Sequence, residues 1–206
     1  MGVALLKGSR KPMRYVKQRV YLLRHGETQW SLSRQHTGLT DIPLTENGRA
    51  VARRLAPVLA AQSFELVLVS PLQRARQTCD LAGLGARATV DEDLVEWNYG
   101  EYEGLTPQQI RANAPEWLIF RDGCPGGESA AQVAGRIDRI ISKLRAVEGN
   151  AALFAHGHIL RALAARWLGL PVSAGCHFLL DTATLCVLSY YHGIGAIERW
   201  NAALVS

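Results

Sequence analysis

Three apolar runs in this sequence end in residues that are costly to bury and useful in chemistry. RVYLLRHGETQW (19–30) runs from Val20–Leu23 straight into Arg24, His25 and Gly26. LVLVSPLQRARQT (66–78) delivers Ser70 and, shortly after it, Arg74, while AALFAHGH (151–158) delivers His156, Gly157 and His158. Cations and imidazoles next to a buried run need partners, so their repetition at three run ends points to a shared site. Arginine forks and helix N-termini match phosphate oxygens, and a neutral imidazole can attack phosphorus. Cations around that imidazole disfavour its protonation and keep it nucleophilic. The leaving oxygen then needs a proton, and the turn-rich DLVEWNYGEYEG (93–104) offers Glu96, Glu101 and Glu103 for that.

These residues lie far apart in the chain, so strands must bring them together. Val20–Leu23, Leu66–Ser70 and Ala151–Ala155 read as buried strands, and each is followed by helical sequence. The helix from Thr45 has a plausible N-cap and keeps Arg53 and Arg54 on its wet side. The next is expected over about 71–82, with Pro71 at its first position. Two more are expected over Glu128–Val147 and Gly157–Leu168. Leu185–Tyr191 reads as a fourth strand and Ala196–Trp200 as an edge strand. Alternating strands and helices predict an α/β fold, a three-layer α/β/α sandwich with a mostly parallel central sheet. In such sheets ligands sit beyond the carboxyl ends of the strands, where Arg24, His25, Arg74 and His156 are carried.

LLRHGET, SPLQRARQT, LVEWNYGEYEG and FAHGH together resemble the signatures of the histidine phosphatase superfamily, the phosphoglycerate mutase-like fold, in that family's order. The resemblance covers roughly residue 19 to the C-terminus. It implies that His25 is the nucleophile accepting the phosphoryl group, that Arg24, Arg74 and His156 clamp its oxygens, and that Glu96 is the proton donor. It further implies substrate-binding positions at Ser31, Thr37, Gly38 and Tyr99, no cofactor and no metal. The branch it points to holds sedoheptulose-1,7-bisphosphatase and mycobacterial acid phosphatases, whence a phosphatase acting on a small phosphorylated metabolite, such as a sugar phosphate. The alternative is a cofactor-dependent phosphoglycerate mutase. Against it, Pro107 stands where such mutases carry a lysine, no Arg-Arg pair follows, and Ser31 stands where they usually have Asn. His158 is expected to support the site or face substrate, whereas His36 defaults to a structural or surface role. Trp30 and Trp97 are the tryptophans expected nearest the site. Arg121, inside a Gly/Pro-rich stretch with Gly123–Gly127, is expected to act as a lid, and Gly26 to let backbone approach a phosphate.

Bulk properties exclude other classes. The 206 residues suit one domain, and 48% hydrophobic with 20% charged content is ordinary for a globular chain without a membrane-spanning run. The net charge is +5, but Lys7, Arg10, Lys11, Arg14, Lys17 and Arg19 supply +6 of it, which leaves −1 for the remainder. Five of these six cations lie in residues 1–18, so the basic excess belongs to a solvated tail ahead of a single domain at 19–206, which begins with Arg19, and no nucleic-acid or membrane partner is expected. Met13 could serve as the natural start. Cys79, Cys124, Cys176 and Cys186 are widely spaced and form no CxxC pair, which predicts reduced thiols and a cytoplasmic location. The His156–His158 pair lacks companions at metal-ligand spacing. A strand near Leu185–Tyr191 could pair across a homodimer.

Overall fold

The computed structural model describes residues 18–203. In chain order its elements are β1 (Val20–Arg24), α1 (Gln29–Ser33), α2 (Glu46–Arg53), α3 (Leu55–Ala60), β2 (Leu66–Val69), α4 (Gln73–Leu81) and β3 (Thr89–Val90). There follow α5 (Pro107–Asn113), α6 (Ile119–Asp122), α7 (Ala130–Arg145), β4 (Ala151–Ala155), α8 (Gly157–Trp167), β5 (Leu185–Tyr191) and β6 (Ile194–Ala202).

One six-stranded sheet, in the order β3-β2-β4-β1-β5-β6, divides the helices into two layers. The first four strands in that order run parallel, and β5 and β6 are antiparallel to their neighbours. Alternation along the strands builds two cores. Val20, Leu22 and Leu153 pack with Ile137, Ile140, Ile159 and Leu163 of α7 and α8. Tyr21, Leu23 and Phe154 pack with Leu55, Leu59, Ala75 and Cys79 of α3 and α4. Each large apolar side chain so buried contributes about 1.5–3 kcal/mol. The register also levels the strand ends: the His25 N–H donates to the Ala155 carbonyl at 3.0 Å and the Ser70 N–H to that of Phe154 at 2.9 Å.

Several boundaries differ from the sequence expectation for local reasons. The helix capped by Thr45 breaks at Arg54 into α2 and α3, because Pro57 cannot donate to the carbonyl of Arg53. Pro71 lies outside α4, which starts at Gln73, whose N–H is taken by Asp41 Oδ1 at 2.7 Å. Helix α7 starts after a Ser129–Gln132 capping box, since Glu128 is held elsewhere. Strand β5 is hydrogen-bonded to β1 on one side and β6 on the other, so it has no free edge to offer a homodimer; β6 is an edge strand, as expected, and β3 is the other. Gln18, placed in the tail by the sequence, is buried and donates to the carbonyls of Leu144, Val147 and Gly149. The rest of that tail, Met13 included, lies outside the described residues.

Candidate active site

Beyond the carboxyl ends of β1 and β4 lies a cavity of about 240 Å³, lined by Arg24, His25, Ser31, Thr37, Glu96 and Tyr99 among others. At its floor the His25 ring is buried, and its Nδ1 is 2.8 Å from the Gly26 carbonyl. A carbonyl only accepts, so Nδ1 carries the hydrogen and Nε2 keeps its lone pair. Burial, with Arg74 and Arg24 adding to it, holds the His25 pKa well below the ordinary 6.5, so the ring is neutral. Arg24 donates from Nη1 to the Leu180 carbonyl, while its buried Nε has no partner among the described residues. Gly157 keeps that guanidinium unobstructed: a Cβ there would sit 3.3 Å from Arg24 Nε.

Glu96 is buried at the N-terminus of α8. Its Oε1 accepts from the N–H groups of Trp97 (2.9 Å) and Ile159 (3.0 Å), and its Oε2 from that of His158 (3.0 Å). The loop carrying it is braced from α7. Arg136 donates to the carbonyls of Asp93, Val95 and Glu96 and forks onto Glu128, whose carboxylate also takes the Asn98 N–H. The two competing carboxylates have other situations. Glu103 accepts from the N–H groups of Gly38 and Thr40 and so ties two loops together, and Glu101 is exposed.

Arg74, His156 and Gly38 stand behind the wall instead of lining it. Arg74 donates from Nε to His156 Nδ1 at 3.1 Å and from its terminal nitrogens to the carbonyls of Thr37, Gly38 and Thr40. An arginine only donates, so His156 Nδ1 is the acceptor and its Nε2–H points at Ser70 Oγ, 2.7 Å away. His156 is neutral as well, its pKa lowered by burial first and Arg74 second. Gly38 is needed for packing, because a Cβ would lie 2.5 Å from Glu103 Oε2 and 2.7 Å from the Trp97 carbonyl. Ser31 spends its hydroxyl in the cap of α1, donating to the Thr28 carbonyl at 2.9 Å.

Other expectations need correction. Gly26 leaves room for α2, not for phosphate: its Cβ would meet the Gly48 carbonyl oxygen at 2.7 Å. Arg121 pairs with Asp122, bonds the Glu116 carbonyl and lines a different hollow, so it is no lid on this cavity. Neither Trp30 nor Trp97 lines the cavity, although the Trp97 N–H binds Glu96, whereas Trp117 lines its extension. His36 is not a surface residue but part of the wall, with His158, which shares a hydrogen with the Tyr99 hydroxyl at 2.6 Å. Arg34, Arg161 and Leu180 also line it and were not singled out by the sequence; only the i, i+3 spacing of His158 and Arg161 on one helix could have flagged one of them.

Residues 20–203 match the family described as the histidine phosphatase superfamily, branch 1. The chain belongs to the histidine phosphatase superfamily. An acid phosphatase of Mycobacterium tuberculosis is 42% identical to this histidine phosphatase over 183 residues, 85% of this chain and 88% of that protein. The sedoheptulose 1,7-bisphosphatase of Saccharomyces cerevisiae is 38% identical over 190 residues, 77% of this chain and 70% of its own. The solved structure of an open reading frame product of Mycobacterium tuberculosis aligns with a TM-score of 0.87 at 38% identity, covering 91% of this chain and 99% of that one.

Proposed function

We propose that this histidine phosphatase hydrolyses small phosphomonoesters, sugar phosphates in particular, through a phosphohistidine on His25. The observation that carries the reading is the His25 ring: neutral, fixed by Gly26, and presenting an unprotonated Nε2 on the floor of a cavity that also holds Arg24 and Glu96. Nε2 attacks phosphorus as the ester oxygen departs with a proton from Glu96. The resulting Glu96 carboxylate then takes a proton from water, whose oxygen displaces His25 and releases inorganic phosphate. Arg24 binds the phosphoryl oxygens with its uncommitted Nε–H. Arg74 completes the clamp with an Nη1 hydrogen that none of its carbonyl contacts uses, and His156, whose one hydrogen points at Ser70, positions Arg74 by accepting from its Nε. The phosphatase names of the relatives, a sugar bisphosphatase among them, support the substrate class.

Acid-labile, base-stable phosphoprotein trapped during turnover, and absent from His25→Ala, is the expected result. Turnover by His25→Ala at the wild-type rate would sink the reading. A coupled assay on 3-phosphoglycerate with and without 2,3-bisphosphoglycerate primer separates hydrolase from mutase. Phosphate release that needs no primer is expected, and primer-dependent isomerisation outpacing release would favour the mutase.

A further inference from the structure

Behind His25, the turn that carries it is tied to the helix that carries Arg74 by one hydroxyl. Arg74 and Thr78 lie four residues apart on α4 and share a face, while Ala75 and Cys79 turn into the core. Thr78 is fully buried. Its Oγ1 is 2.7 Å from the Arg74 carbonyl and 3.0 Å from the Gly26 nitrogen. A carbonyl only accepts, so Thr78 gives its one hydrogen to Arg74, and a lone pair of Oγ1 is left for the Gly26 N–H. A threonine that bonds back to the carbonyl four residues earlier is common in helices and implies nothing by itself. The third partner distinguishes Thr78: it is the amide of Gly26, 52 residues away in the chain and next to His25. Gly26 is thereby held from two sides, with the Gly48 carbonyl oxygen where a Cβ would stand and Thr78 at its N–H. A glycine has no side chain of its own to limit its rotation. The restraint matters because the Gly26 carbonyl, 2.8 Å from His25 Nδ1, decides which ring nitrogen carries the hydrogen.

We infer that Thr78 is a positioning residue: its hydroxyl, by clasping the Gly26 N–H against the Arg74 carbonyl, keeps the His25 ring hydrogen on Nδ1 and holds the ring in place relative to the Arg74 guanidinium. The inference rests on the reading of His25 as the nucleophile and adds what sets its tautomer. Without the hydroxyl, the buried Gly26 N–H loses its acceptor and turns toward another. The Gly26 carbonyl then leaves His25 Nδ1, the ring hydrogen is free to sit on Nε2, and no lone pair remains there to attack phosphorus. Threonine suits this task, because branching at Cβ restricts χ1 and keeps the hydroxyl aimed.

Nitrogen NMR spectra of the histidine rings test this, with the His25 signals assigned by their absence from His25→Ala. In the wild type, Nδ1 is expected to carry the hydrogen and Nε2 the lone pair. Thr78→Val keeps the shape and removes the hydroxyl. It should move hydrogen onto Nε2 and slow single-turnover phosphorylation by 4-nitrophenyl phosphate about ten- to a hundredfold. Thr78→Ser should keep the wild-type ring pattern and stay close to the wild-type rate. Cys79→Ala, a packing loss on the same helix, should lower the melting temperature and leave ring pattern and rate unchanged. Unaltered ring signals in Thr78→Val overturn the inference. So does the same ring change in Cys79→Ala, which would reduce Thr78 to packing. Should Thr78→Val fail to fold, hydrogen exchange in the wild type decides: a Gly26 amide that exchanges as fast as a free peptide amide has no such clasp. The phosphatase reading is judged separately, by turnover in His25→Ala, and the ring spectra report on Thr78 whichever way that falls.

Discussion

At the scale of single residues, the proposed chemistry depends on which ring nitrogen of His25 carries a hydrogen. The Gly26 carbonyl settles this by accepting from Nδ1, and burial beside two guanidiniums keeps the ring unprotonated at pH values where a free histidine is already charged. Protonation of His25 should therefore not limit the rate between pH 7.5 and about 6: with 4-nitrophenyl phosphate, whose leaving group needs no proton from Glu96, single-turnover phosphorylation of the enzyme should not fall across that window. A decline centred near 6.5 would contradict the depressed value. Glu96 has a different dependence, on the leaving group. On the proposed mechanism, replacement by Gln removes the transferable proton, and it also aims an amide at one of the backbone N–H groups that now bind the carboxylate. Glu96→Gln should lower kcat for an alkyl phosphate by roughly 10²–10⁴ and do much less to 4-nitrophenyl phosphate, whose leaving group departs unaided. Equal losses on both esters would place the effect in folding rather than proton transfer.

At the scale of elements, two supports decide where these residues stand. The Arg136–Glu128 pair clips the acid loop onto α7, with side chains only 8% and 19% exposed. Arg136→Met leaves Glu128 buried without its partner and frees the carbonyls of Asp93, Val95 and Glu96, so a loss of about 3–5 kcal/mol in urea unfolding is expected. A loss below about 1 kcal/mol would show the clip to be dispensable. The second support is the crossing of Gly26 over Gly48, where the carbonyl of Gly48 already fills the place of a side chain. Gly26→Ala should cost about 1–3 kcal/mol through overpacking and lower kcat as well, because the displaced Gly26 carbonyl is the one that orients His25. Unaltered melting and turnover in this variant would mean that α2 yields at no cost.

At the scale of the whole molecule, burial of histidines makes stability depend on pH. His25 and His156 have folded pKa values well below 6.5, through burial first and neighbouring arginines second, and burial takes His36 down to about 4. Below pH 6.5 the unfolded chain binds protons at these positions and the native protein does not, so stability is full above that value and is lost as pH falls. For each of His25 and His156 the loss is up to about 1.4 kcal/mol per pH unit. Urea midpoints should therefore drop between pH 7.5 and 5.5; a midpoint that held or rose would refute the assignment of neutral, buried rings.

Much of this molecule was legible in the chain before any contact was known. The apolar runs at 20–23, 66–69 and 151–155 and their helical sequels specify the strands and the layering, since burial with period 2 or 3.6 is a local property of sequence. The residues at the ends of those runs announce phosphate chemistry by type and by their place beyond the strands. What only the tertiary structure decided are relations between distant segments. Arg74 and His156 turn toward each other and the Thr37–Thr40 carbonyls because β2 and β4 are neighbours. The acid loop is held by Arg136, forty residues from Glu96 in the chain. Gly26 is required by α2, and Arg161, one more arginine on a helix when read in line, becomes a wall shared by two neighbouring chambers. Hydrogen-bond partners and charge neutralisation are set by which surfaces meet, and no local spacing encodes that meeting.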